Sequence, residues 1–156
     1  MARAWSIESQ FTDLTVALDK WDKVGDEGVR KELKERGMSE DVIANVMLVF
    51  GLLATEDSLA RLNGIQAMLL SDDEESQQAY QDVVKLLQMT KDSGVPDSCI
   101  TFDPTLARGL NYYTGAIFEV RVDDAPVGSI CGGGRYANLT GIFGWDGMSG
   151  VGISFG

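Results

Sequence analysis

Between Ser39 and Leu53 the apolar residues Val42, Val46, Val49, Phe50 and Leu53 recur at the spacing that lines one side of a helix. Glu40 and Asp41 follow Ser39 directly, so the predicted first turn carries acids against the positive end of the helix dipole. Leu59, Leu62, Ile65, Gln66 and Leu69 continue the pattern, and Tyr80, Val83, Val84 and Leu87 form another stripe after the acidic run Asp72 to Glu75. Gly25, Gly37 and Gly94 read as helix stops. Stripes of this kind are ordinarily core, so the helices read as scaffold.

The period changes near Ser93–Ser98, where Gly94, Pro96 and Asp97 mark a boundary. Beyond it, Ala116-Ile117-Phe118-Glu119-Val120-Arg121-Val122 has a sheet-like cast. Near the end, Gly150, Gly152 and Gly156 alternate with Val151, Ile153 and Phe155 over most of the segment, which leaves one face bare and the other apolar. Of the 18 glycines, 12 fall at or after Gly109. The expected fold class is α+β, with about five helices followed by three or four mainly antiparallel strands.

Length changes this picture little: 156 residues suits one domain, or one with a small appendage. Charge matters more. With 13 Lys and Arg against 24 Asp and Glu, the net charge of −11 repels nucleic acid, and any attraction to phosphate has to come from a local patch. Lys20, Lys23, Arg30, Lys31, Lys34 and Arg36 are the candidates for one. The same stretch holds Asp19, Asp22, Glu27, Glu32 and Glu35, so a solvated face of i to i+4 ion pairs is the competing reading. No RNA-binding motif with stacking aromatics is present. Cys99 and Cys131 form no Cys-x-x-Cys, and with no histidine in the chain they suggest reduced thiols and no zinc site or thiol–histidine catalysis. Neither a run of about 20 apolar residues nor a basic-then-apolar leader occurs, so membrane insertion and secretion are unsupported and the cytoplasm is the default location.

The richest segment chemically is Ala107-Arg108-Gly109-Leu110-Asn111-Tyr112-Tyr113-Thr114-Gly115-Ala116-Ile117-Phe118-Glu119, which sets one arginine and two adjacent phenols beside a sheet-like run. It resembles the Arg-Gly-Leu-Asp-Tyr-Tyr-Thr-Gly histidine-recognition motif of the histidyl-tRNA synthetase family. Downstream, Cys131-Gly132-Gly133-Gly134-Arg135-Tyr136-Ala137-Asn138-Leu139 resembles a second motif of that family, and Gly150-Val151-Gly152-Ile153-Ser154-Phe155-Gly156 the start of the third motif of class II synthetases. Upstream, Ala17-Leu18-Asp19-Lys20-Trp21-Asp22-Lys23-Val24-Gly25 is similar to the Leu-Asp-Lys-Leu-Asp-Lys-Ile-Gly stretch that follows the second motif in bacterial members.

The resemblance implies a layout: 1–24 as a connection from the catalytic domain, 25–98 as a helical insertion that reaches toward the tRNA acceptor arm, and 99–156 as the C-terminal part of the catalytic domain. It also implies a ligase that activates histidine with ATP to histidyl-adenylate, transfers it to tRNA(His), uses Mg²⁺ with its ATP, and acts as a homodimer. Arg108 takes the catalytic role. Its guanidinium offers a fixed fork of N–H groups to the amino-acid carboxylate and the α-phosphate, which repel each other until a donor bridges them. One well-placed donor of this kind is worth roughly 3–4 kcal/mol at the transition state. Tyr112 and Tyr113 suit an imidazole, which has one donor and one acceptor nitrogen when neutral, because a phenol can play either part. The resemblance implies Arg108, Tyr112, Tyr113, Gly132, Gly133 and Tyr136 as histidine-binding residues and Arg108, Gly150 and Gly152 as ATP-binding residues, since the family turns the bare face of those glycines toward adenine.

Other readings remain open at this point. The tyrosine segment fits an ordinary hairpin, with Tyr112 and Tyr113 on opposite faces; if both line one pocket, the backbone bends, and Gly109 and Gly115 permit that. The triple glycine is no phosphate loop, since neither Lys-Ser/Thr nor a Gly-x-Gly-x-x-Gly helix start accompanies it, and a floor for a flat substrate competes with a simple bulge. Two departures stand out: Asn111 and Ala137 each occupy a position where the family usually carries Asp. The first motif, the second motif and the ATP-contacting arginine of the third are not found, so the chain reads as a piece of a longer synthetase, inactive by itself. Two alternatives compete with the ligase: a non-catalytic histidine-binding paralogue such as the accessory subunit of ATP phosphoribosyltransferase, and a free-standing helical tRNA-binding module.

Overall fold

In the computed structural model the described residues are 5–69, 74–106, 112–122, 127–137 and 139–156. The chain divides into two compact units, Met1–Ala107 and Arg108–Gly156, and each is described by itself. The first is helical: α1 (Phe11–Asp19), α2 (Trp21–Glu35), α3 (Glu40–Gly51), α4 (Ser58–Leu69) and α5 (Glu74–Asp92). The second is an antiparallel sheet of β1 (Ile117–Arg121), β2 (Ser129–Tyr136) and β3 (Gly150–Phe155), in that spatial order. An α+β architecture is thus what these residues form.

The helical core gathers Ile7, Leu14, Ala17 and Leu18 with Val29 and Leu33 of α2 and Val42, Ile43, Val46 and Phe50 of α3. Of the predicted stripe, Val42, Val46, Val49 and Phe50 are buried on α3 while Leu53 lies beyond the helix and is half-buried, and Ser39 caps the helix, its Oγ accepting the Val42 N–H at 3.3 Å. Residues within 1–24 supply α1 and part of this core, and Trp21 stacks on Phe50 with ring centroids 5.1 Å apart. Helix ends follow from backbone handedness. Gly37 (φ 80) closes α2: its N–H donates to Lys34 O and the Met38 N–H donates to Leu33 O, which brings Met38 and Leu33 together in the core. Gly94 (φ 85) closes α5 in the same way, through Lys91 O and Thr90 O. Gly25 (φ 65) breaks the helical path inside α2.

The later helices depart from their stripes. Leu62 and Ile65 of α4 are buried, but Leu59 is exposed, and α5 has no fully buried side chain. The tie between α4 and the chain beyond α5 is polar. Ser58 Oγ accepts the Phe102 N–H at 2.9 Å and donates to the Ile100 carbonyl at 3.0 Å. Arg61, only 6% exposed, donates to the carbonyls of Leu53 (2.8 Å), Thr55 (2.6 Å) and Phe102 (2.6 Å). This clamp was not foreseen; its signal was a cation three residues from Ser58 and four from Ile65, squarely on the apolar stripe.

In the sheet, β1 pairs with β2 (Ile117 opposite Gly134, Glu119 opposite Gly132) and β2 with β3 (Gly134 opposite Gly152, Tyr136 opposite Gly150), with a register shift between Val120 and Arg121. Directly opposed residues share a face and neighbours alternate. One face therefore carries Ile117, Glu119, Gly132, Gly134, Tyr136, Gly150, Gly152 and Ser154. The other carries Phe118, Val120, Cys131, Gly133, Arg135, Val151, Ile153 and Phe155, and at its β3 end it is open, with Val151 69% and Phe155 77% exposed.

Candidate active site

The glycines of β2 and β3 make room for the protein's own rings. A Cβ on Gly134 would lie 2.8 Å from Tyr113 Cδ1, so that phenol rests on bare backbone. A Cβ on Gly150 would lie 2.5 Å from Tyr136 Cε2, and one on Gly152 3.2 Å from Tyr136 Cε1. Tyr113 and Tyr136 thus share the glycine face. The face of β3 that the glycine alternation leaves without side chains of its own is not open, because the Tyr136 ring covers Gly150 and Gly152. Gly132 lies on that same face with its Cβ direction nearly clear, the nearest atom being Phe118 O at 3.6 Å. Its neighbour Gly133 turns the other way, against the Phe118 ring and the Gly152 carbonyl.

Tyr112 stands against Tyr113, with ring centroids 4.4 Å apart and planes tilted by 54°, so the opposite-face hairpin is not what forms. The backbone there bends onto β2: the Thr114 N–H donates to Arg135 O and the Arg135 N–H donates to Ala116 O, both at 2.9 Å. Gly115 sits close in this arc, where a Cβ would lie 3.2 Å from the Arg135 side chain, which would have to give slightly. Burial, first, then a hydrogen bond with Tyr112, then the charges of Tyr112 and Tyr136 push the Tyr113 phenol above its ordinary pKa. It stays neutral and able to donate or accept. Arg108, Gly109 and Asn111 lie outside the described residues.

Among the basic candidates, four are engaged by carboxylates: Lys20 by Glu32 (2.7 Å), Lys31 by Glu35 (3.8 Å), Lys34 by Glu40 (2.6 Å), and Arg36 by Asp13 (2.6 Å) and Glu32 (2.8 Å). Among the described residues Lys23 and Arg30 make no ion pair, and both are exposed. Most of these cations are thus ion-paired, but of these pairs only Lys31–Glu35 and Arg36–Glu32 have the expected i to i+4 spacing, and Glu40 and Asp13 are partners from outside the expected set of acids. The Lys20 and Arg36 hydrogen bonds hold the Glu32 carboxyl below the usual carboxylate range, and Lys34 does the same to Glu40.

Residues 9–156 match the family model described as histidyl-tRNA synthetase. The chain belongs to the histidyl-tRNA synthetase family. Similar proteins include the histidine–tRNA ligase of Flavobacterium johnsoniae, 46% identical over 158 residues that cover 100% of this chain and 32% of that protein. The histidine–tRNA ligase of Bacteroides fragilis is 49% identical over 148 residues, which cover 94% of this chain and 32% of that protein. The crystal structure of histidyl-tRNA synthetase from Nostoc sp. PCC 7120 superposes with a TM-score of 0.81 at 30% identity, covering 96% of this chain and 35% of that one. The chain thus spans about a third of the length of the curated relatives it matches. Family membership extends over both units, and the helices followed by antiparallel strands have the fold of a class II histidyl-tRNA synthetase.

Proposed function

We propose that this chain gives a histidine–tRNA ligase the sheet surface that receives histidine, together with a helical unit that approaches tRNA(His). The observation that carries the reading is the placement of Tyr113 and Tyr136 on one glycine-lined face, in segments that match the histidine motifs. The reaction joins histidine to the α-phosphate of ATP with release of pyrophosphate, and the histidyl group then passes to tRNA(His). Arg108, four positions before Tyr112, bridges the two anions and holds the charge that grows on phosphorus. The phenols of Tyr112, Tyr113 and Tyr136 address the imidazole, Gly132 leaves room for it, and Gly133 keeps β2 seated by admitting Phe118. Gly150 and Gly152, beneath Tyr136, mark the side toward ATP. Mg²⁺ arrives with the nucleotide, and among the described residues no group of three or more His, Cys, Asp or Glu gathers to hold an ion. The ligase works as a homodimer in the cytoplasm; among the described residues no helix is long and apolar enough to cross a membrane.

The test is a chimera in which these 156 residues replace the matching stretch of the Flavobacterium ligase. It is expected to catalyse histidine-dependent ATP–pyrophosphate exchange, and Arg108→Ala to slow exchange by about 10²–10³-fold. Exchange that is independent of histidine, or unaffected by the substitution, overturns the assignment. A chimera that binds histidine without exchange would favour the regulatory paralogue.

A further inference from the structure

Thr114 touches β2 on both sides of Tyr136. Its N–H donates to the carbonyl of Arg135 at 2.9 Å, and its Oγ1 accepts the N–H of Ala137 at 2.8 Å. The hydroxyl does what a ladder carbonyl would otherwise do, just where β2 ends and pairing with regular backbone stops. Tyr113, the residue before Thr114, lays its ring on Gly134, while Tyr136, enclosed between the two hydrogen-bonded residues, lays its ring on Gly150 and Gly152. Gly134 and Gly152 are directly opposed across β2 and β3, so the two rings stand on adjacent strands of one face.

We propose that Thr114 is a positioning residue: its hydroxyl fixes the segment carrying Tyr113 to the segment carrying Tyr136 and so sets the spacing between the two phenols that recognise the amino-acid side chain. The proposal rests on the reading of this face as the histidine site, and it makes a prediction that is independent of that reading. Without the hydroxyl, Ala137 loses this partner, and the hydrogen bonds that hold Thr114 and Ala116 to β2 beside Tyr136 are left to the Arg135 backbone. A ligand held between two donors and acceptors is sensitive to such a change, because one misplaced phenol leaves a polar atom of each partner unpaired. The Tyr113 phenol reports the same geometry, since burial and the nearness of Tyr112 and Tyr136 raise its pKa.

Thr114→Val keeps the shape and removes the hydrogen bond; Thr114→Ser keeps the bond and removes a methyl group. In the chimeric ligase, Val is expected to raise KM for histidine about tenfold with kcat within about threefold, and Ser to restore KM to within about twofold. A residue that merely supports folding would lower the active fraction, which reduces kcat with KM unchanged, and that result overturns the proposal. In the 156-residue chain, Val is expected to speed hydrogen exchange at the Ala137 amide and to move the Tyr113 titration toward that of ordinary tyrosine, with Ser near wild type. Exchange and titration identical in wild type and Val would also overturn it. Should the wild-type chimera show no histidine-dependent exchange, the function fails, while the titration still decides the role of Thr114. If Val does not fold, Thr114→Ala is judged by the same two measurements.

Discussion

Arg61 keeps a permanent charge at 6% exposure without an ion-pair partner among the described residues, and three backbone carbonyls take the place of a counter-ion. Two of them, from Leu53 and Thr55, belong to the turn after α3, where a helix leaves its last carbonyls unsatisfied and negative; the third belongs to Phe102. The guanidinium is the one side chain whose planar fork reaches all three at once. Arg61→Met keeps most of the stem and strands those carbonyls, so it is expected to destabilise the chain by about 2–4 kcal/mol, read as a lower urea midpoint. Arg61→Lys should recover only part, and a Met variant that unfolds at the wild-type midpoint refutes the clamp. Sequence reading missed this residue because an arginine on a stripe looks like a surface interruption. The resemblance to the family motifs singled out Tyr112, Tyr113 and Tyr136, yet it could not foresee that Tyr136 would cover Gly150 and Gly152. Cross-strand register decides that, and register is not written in any one segment.

At the level of elements, α3 and the ends of α2 and α5 were legible because each depends on local rules: a stripe, a hydroxyl cap, a glycine with positive φ. The corner between α1 and α2 was not, since two of its ion pairs, Lys20–Glu32 and Arg36–Asp13, join charges far apart in sequence. Glu32 of α2 accepts from Lys20 at the corner and from Arg36 past the helix end, and Arg36 reaches back to Asp13 of α1. The hydrogen bond from Lys20, then that from Arg36, lower the Glu32 pKa against the opposing effect of burial. A folded-state pKa below the unfolded value means that the unfolded chain binds the proton more readily. The stabilisation is therefore complete above the ordinary glutamate range and disappears as pH falls through the lowered pKa. Glu32→Gln is expected to be less stable than wild type near neutrality, with the gap closing in acid. Urea titrations across that range check it; a gap that persists unchanged at low pH would show that shape, not charge, accounts for the role of Glu32.

For the molecule as a whole, a net charge of −11 repels phosphate, so the proposed approach to tRNA has to overcome that repulsion, and the arrangement of the cations says where that is feasible. Lys34 is already matched by Glu40, whose pKa Lys34 lowers, so the pair presents little net field to a phosphate. Lys20, Lys31 and Arg36 are matched likewise. Lys23 and Arg30, exposed on α2 and without ion pairs among the described residues, are the most available of these cations, although Arg30 also adds to the lowering of the Glu40 pKa. If the helical unit meets the acceptor arm through this stretch, replacing both by Ala removes up to two phosphate contacts, whereas Lys34→Ala removes a charge that Glu40 already offsets. In the chimeric ligase the double variant is expected to bind tRNA about 5–20-fold more weakly and to flatten the slope of log affinity against log salt by about 1–2. Lys34→Ala is expected to bind as wild type or slightly more weakly, with the slope unchanged. Salt titrations of tRNA(His) binding separate the cases: equal losses from the double variant and from Lys34→Ala would mean that ion pairing in the free protein does not select the contacts. No loss from either would move the RNA surface away from α2 altogether.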